Sequence, residues 1–269
     1  MEEFLRKWVR FAFDTTDIYD KLSKLVLQSP EQFSQPVWQF CRAIFENMLV
    51  IGYSLLALCL VLELLYKTMT LEHMNAEQVV KILLKIVLGK AIMENAFWFL
   101  TKLLGLAEST IRIVQGVNVA SSQAPDVLSA LENAVPDSVL PQIAFSVGIA
   151  VFCIVMFIVQ LVVLVVVYGR FFELFVMTAV APIPVAFLLN DSMRDIATKF
   201  LRNYASLCFQ GMILLLITKI YGAVAVNLTM SSTEPLILAR NMTIMGLVMM
   251  MAVVKSSSWA KSMVGLGDW

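Results

Sequence analysis

Residues 144–169 contain no charged side chain, so nothing in that run asks for water. At 1.5 Å per helical residue the run covers about 39 Å, more than the hydrocarbon thickness of a typical bilayer. In such a medium each backbone N–H and C=O must be satisfied within the segment itself, which leaves a helix as the economical solution. The rest of the chain has the same character. Of 269 residues, 59% are hydrophobic and only 15% charged, which excludes an ordinary soluble domain and points to an all-α, polytopic membrane protein.

Six segments are long and apolar enough to consider as spans: 45–66, 79–106, 144–168, 171–190, 203–227 and 235–254. The second is the weakest, because Lys81, Lys85, Lys90, Glu94 and Lys102 interrupt it. Five regions follow: an amphipathic membrane-surface segment (1–35), a first helical pair (36–106), a polar extramembrane loop (107–140), a four-segment membrane core (141–254) and a C-terminal tail (255–269).

In the first region Phe4, Trp8, Phe11, Ile18, Leu22 and Leu25 gather on one helical face, opposite Arg6, Lys7, Arg10 and Asp14. This is the pattern of a helix lying in a membrane surface; packing on another subunit or a soluble partner is the alternative. The segment lacks the features of a secretory signal and is expected to stay in the mature chain. In "SPEQF", Ser29 is placed to cap a helix that opens on Pro30, with Gln32 reaching back as the partner of a capping box. Pro36 then opens the next helix, and Trp38 and Phe40 suit the headgroup boundary. The polar loop carries Pro125, Pro136 and Pro141 and one short helix, "DVLSALENAV".

Counting Lys and Arg near span ends puts the N-terminus, Arg194, Lys199 and Arg202, and the tail with Lys255 and Lys261 inside the cell, and the 107–140 loop with them. The formal net charge is zero and the basic residues are scattered, so a basic nucleic-acid surface is not expected. The four cysteines show no metal-ligand or disulfide spacing. His73 is the only histidine and no Walker loop, HExxH or carboxylate pair occurs, so neither catalysis, cofactor nor metal is expected.

Charges within apolar segments are costly and therefore informative. Lys90 and Glu94 stand at i and i+4, close enough to neutralise each other. Arg170 and Glu173 stand at i and i+3 if one helix passes through them. The alternative, preferred here, is a helical hairpin turning at Gly169, since 144–169 already suffices to cross. Pro182 and Pro184 each lack an N–H and clash with the preceding turn, so "APIPVA" must kink or break its helix. That break is either a pore-lining or assembly feature or a purely structural kink. Lys219 and Arg240 are expected to snorkel, and Met242, Met245, Met249, Met250 and Met251 to give adaptable packing.

The polytopic layout, the N-terminal amphipathic segment and above all "YGRFFELFVMTAVAPIPVAFLLNDSMRDIATKFLRNYASLCFQGMILLLI" resemble the VirB6/TrbL family of conjugative type IV secretion systems, in the form carried by Gram-positive conjugative elements. The likeness is read best over 140–255, and Arg170, Glu173, Ala181, Pro182 and Pro184 carry it. The resemblance implies a channel or scaffold subunit in the bacterial cytoplasmic membrane, assembled as a homo-oligomer with other secretion subunits and served by separate ATPases. It implies transient contact with single-stranded DNA and its attached relaxase. It also implies a periplasmic central loop, opposite to the placement from charge. Two other classes remain open: a small-solute transporter using Lys90, Glu94 and the proline kink, or an anchor for partner proteins.

Overall fold

The computed structural model describes residues 25–26, 28–69, 76–117, 139–231 and 235–267. The surface helix expected before residue 25, most of the polar loop with its short helix, and His73 lie outside the described residues. All regular structure among the described residues is helical. In chain order it runs α1 (Pro30–Phe33), α2 (Gln35–Met69), α3 (Ala76–Gly116), α4 (Val139–Val180), α5 (Pro182–Val185), a 3-10 turn (Ala186–Leu189), α6 (Arg194–Ser231) and α7 (Pro235–Met263).

The capping box at α1 forms as its residue types dictate: the Ser29 hydroxyl accepts the Gln32 N–H at 3.2 Å, and the Gln32 side chain accepts the Ser29 N–H at 3.3 Å. Among the described residues four helices are long and apolar enough to cross a membrane, with windows at Gln35–Tyr66, Phe157–Val180, Arg194–Val224 and Thr243–Met263. Three of the six expected segments need correction. The charges on α3 keep it out of this set. The third segment and the first half of the fourth, as far as Val180, are one helix, α4, which passes straight through Gly169 and Arg170.

The hairpin expected at Gly169 is therefore absent. A glycine tolerates a helical backbone, at a cost of about 1 kcal/mol against alanine. Continuing the helix lets Phe171, Leu174 and Phe175 be buried on one side of α4. That gain decides against the turn.

The described chain divides into two compact units, the first drawing on residues 109–169 and 210–257, the second on 28–108, 170–209 and 258–269. In the first, Val159, Val163 and Val167 present one face of α4 at four-residue spacing, and Leu214, Leu215, Met249 and Val253 are likewise buried. Met249 is inward while Met251 is exposed, so the methionines of α7 do not share one face; the Met242 side chain lies outside the described set. Gln210 on α6 donates to the Ser256 hydroxyl of α7 at 3.2 Å. The Lys219 ammonium donates to the carbonyls of Gln115 and Val117, at 2.7 Å each, capping the C-terminus of α3. A cation there satisfies orphan carbonyls and complements the helix dipole. Lys219→Met is expected to cost about 1–2 kcal/mol and to speed amide hydrogen exchange in the last turn of α3, leaving α2 unchanged.

In the second unit α2 and α3 run antiparallel. Phe97 packs against Trp38 and Phe45 at centroid separations of 5.5 and 5.3 Å. Met93, Ala96, Leu100 and Leu104 form the buried seam of α3, each three or four residues from the next. Phe33 of α1 stacks on Phe171 at 4.5 Å, nearly parallel.

Candidate functional site at the broken helix

The break that the two prolines require falls after Val180. Pro182 and Pro184 cannot supply the amides that the carbonyls of Thr178 and Val180 would otherwise receive. The backbone nevertheless stays in the helical region at Ala181, and the Val185 N–H bonds the Ala181 carbonyl at 3.1 Å, so the chain restarts as the single turn α5. A 3-10 turn tightens it, and Asn190 ends it in an extended conformation.

Three contacts fix this broken segment on the α2–α3 hairpin. The first is backbone proximity at Gly52. A Cβ there would collide with Met93 Cε and lie 3.0 Å from the Pro182 carbonyl oxygen and 3.2 Å from Pro182 Cβ. Only a residue without a side chain admits so close an approach. At Gly89 on α3 the close atoms are side-chain ends: a Cβ would lie 2.9 Å from a Leu56 methyl and 3.0 Å from a Leu189 methyl.

The second contact is Asn190, which is buried. Its Nδ2 donates to the Cys59 carbonyl of α2 at 3.1 Å, while its Oδ1 accepts the N–H groups of Ser192 and Met193 at 3.0 and 3.1 Å. The side chain thus closes an Asx turn ahead of α6 and ties that turn to α2. The third is ionic: Lys85 of α3 donates to Glu63 of α2 at 2.7 Å and to Asp191 at 3.1 Å. Burial opposes the Lys85 charge, but its two carboxylate partners outweigh burial and raise its pKa above the ordinary lysine value. Glycine, carboxamide and ammonium hold one segment together.

Arg170 lies in the same unit, on the continuous part of α4. It is 4% exposed, its Nε donates to the Leu207 carbonyl of α6 at 3.0 Å, and its Nη1 has no hydrogen-bond partner among the described residues. The guanidinium also stands 5.4 Å from the Phe171 ring centroid. Nearby, the Thr178 hydroxyl bonds the Leu174 carbonyl and pairs with the Tyr204 hydroxyl at 3.2 Å.

The six expected site residues therefore separate. Pro182 is buried at the break and Pro184 follows it on α5. Arg170 turns inward but Glu173 is exposed, and the two do not pair: the rotation of about 60° between i and i+3 carries Glu173 past the edge of the packed face. Lys90 and Glu94 do approach, at 3.8 Å, but on an open face of α3 with both side chains more than half exposed. Gly52, Gly89, Asn190 and Lys85 were not singled out from sequence. Isolated glycines inside apolar helical runs were the available signal for the first two.

A family model described as "TrbL/VirB6 plasmid conjugal transfer like protein" matches residues 16–182, more than half of the chain. The match takes in the whole α2–α3 hairpin and ends on Pro182, whereas the resemblance had been read best over 140–255. No curated protein and no solved structure matches the chain.

Proposed function

Since the chain belongs to the TrbL/VirB6 plasmid conjugal transfer-like family, we propose that it is an integral channel or scaffold subunit of a conjugative type IV secretion system. In this reading it takes part in moving single-stranded DNA and attached protein between bacteria. It sits in the cytoplasmic membrane as a multi-pass, homo-oligomeric protein, with residues 141–254 as its membrane core and residues 1–35 at the membrane surface. Other membrane subunits assemble with it, and separate ATPases supply the energy. Its own role is structural and non-catalytic, and its contacts with passing DNA are brief, as the sparse basic residues suggest.

The observation that carries this reading is the broken segment 181–190, pinned to the α2–α3 hairpin by Gly52, Asn190 and Lys85. Irregular backbone at membrane depth is tolerated where protein or a water-lined cavity surrounds it. A polymer-conducting assembly needs such non-helical wall elements, because a bundle of regular apolar helices gives a polar chain nothing to follow. Arg170, buried without a full set of partners, adds a fixed positive charge to the same unit. Lys90 and Glu94 support the transporter alternative poorly, since they neutralise each other on an exposed face.

Pro182→Ala combined with Pro184→Ala heals the ladder and straightens α4. Donor transfer frequency is expected to fall about tenfold, with membrane level and copurifying subunits unchanged, as loss of a proline kink predicts. Transfer at the wild-type level, in a donor where deletion of the whole chain blocks it, would leave the break a packing feature; a silent deletion would sink the conjugation reading itself.

A further inference from the structure

A cavity of about 650 Å³ opens between α1, the start of α2 and the C-terminal half of α3. Gln32, Gln35 and Thr101 line it together with the charged side chains of Glu31, Lys102 and Glu108. A space so roomy and so polar is one that water fills. Glu108 is half-buried in its wall, and Glu31 is exposed. A carboxylate in the Glu108 position keeps part of its hydration.

Arg170 belongs to the same joint. α1 is a single turn: its first three residues line the cavity, and its last, Phe33, stacks on Phe171 at 4.5 Å. The Arg170 guanidinium stands 5.4 Å from the centroid of that Phe171 ring. Glu108, α1, Phe171 and Arg170 all fall in the second unit. Among the described residues the buried guanidinium makes one hydrogen bond, from Nε to the Leu207 carbonyl. One bond to a neutral carbonyl is little for a charge taken out of water, and an opposite charge within electrostatic reach has to supply the rest. The Glu108 carboxylate is within that reach of the guanidinium and of the buried Cys208 thiol, whereas Glu31 is not among the groups that act on either.

We propose that Glu108 is the counter-charge of Arg170: a carboxylate in the wall of a hydrated cavity that holds the buried guanidinium in place against the Leu207 carbonyl. The two partners are unequal. Glu108 without Arg170 falls back on the water of the cavity, but Arg170 without Glu108 is a buried charge held by one hydrogen bond. Glu108 is then a positioning residue, which bears on transfer only through Arg170. That last step rests on the conjugation reading; the pairing itself does not.

The test is a double-mutant cycle on the full-length protein in mild detergent, read as the thermal unfolding midpoint. Glu108→Gln is expected to lower the midpoint by roughly 5 °C, the scale on which a buried charge deprived of its partner shifts a chain of this size. In the Arg170→Met background the same exchange should move it by less than about 1 °C, as for a residue with nothing left to couple to. Glu108→Asp should keep most of the midpoint, and Glu31→Gln should leave it unchanged. An equal loss in both backgrounds, no loss in either, or a loss with Glu31→Gln as large as with Glu108→Gln would overturn the pairing. If Glu108→Gln does not accumulate, the double variant decides: recovery of folded protein supports the pair, and its continued absence overturns it. Donor transfer on the same variants is expected to fall about tenfold with Glu108→Gln, the value of one charge-assisted contact, to return with Glu108→Asp, and to change no further in the Arg170→Met background. A coupled midpoint with transfer unmoved would overturn the positioning role and count against the conjugation reading, while the pair itself would stand.

Discussion

Gly52→Leu is expected to abolish transfer and to lower the amount of folded protein in the membrane. The argument is steric. Gly52 faces Met93 and Pro182 so closely that even one added carbon would lie 3.0 Å from the Pro182 carbonyl oxygen. Met93 is a flexible side chain and can swing aside, but the Pro182 carbonyl belongs to the backbone and cannot. A leucine adds three further carbons to that collision. Overpacking a core in this way costs about 1–3 kcal/mol, and here the strain falls on the contact that seats the broken segment. Two measurements separate the outcomes: detergent-resistant protein level and donor transfer frequency. Gly52→Ala should show the graded version, with the level retained and transfer reduced. If Gly52→Leu conjugates at the wild-type rate, α2 and the broken segment do not need to meet, and the functional reading of that contact fails.

Arg170→Met should separate stability from function. The guanidinium is buried, has one hydrogen bond to the Leu207 carbonyl, and leaves Nη1 without a partner among the described residues. A buried charge without a full set of hydrogen bonds carries a desolvation cost, and an apolar side chain of similar length removes it. The thermal unfolding midpoint in detergent is therefore expected to hold or rise. Transfer should nonetheless fall, by about a hundredfold if the charge carries the several kcal/mol typical of a desolvated ionic contact. Arg170→Lys should recover little, because an ammonium cannot place an Nε–H against the Leu207 carbonyl in the same geometry. A variant that is both less stable and fully competent in transfer would make Arg170 a packing residue and remove it from the proposed mechanism.

The features legible in the sequence were those set by local chemistry. Hydropathy was enough for the all-α architecture, residue types for the capping box at Ser29 and Gln32, and missing amides for the break at Pro182. The features missed depend on partners distant in sequence. Gly169 followed by a charge has the local signature of a turn, but burial of Phe171 and Phe175 carries α4 through it. Nothing local to Lys219 shows that its ammonium meets carbonyls from residues 115 and 117. The same reason hid Gly52, whose meaning is the nearness of Pro182 and not anything in its own helix. For Arg170 and Glu173 the sequence favours a hairpin end over a pair within one helix, and neither reading foresees a buried arginine beside an exposed glutamate, because spacing alone does not say which side of a helix is packed.

Asn190 has a chemical consequence on a longer time scale. Its side chain donates to a carbonyl of α2 and accepts two amides at the start of α6 in one arrangement, a combination that requires an uncharged carboxamide. Hydrolysis to aspartate exchanges a single nitrogen for oxygen. The oxygen still accepts the two amides, but the atom facing the Cys59 carbonyl changes from donor to acceptor, and attraction becomes repulsion. Slow deamidation at residue 190 would thus unfasten the broken segment from α2 while leaving the fold of each helix intact, so the age of a protein molecule would be written into how firmly that segment is held.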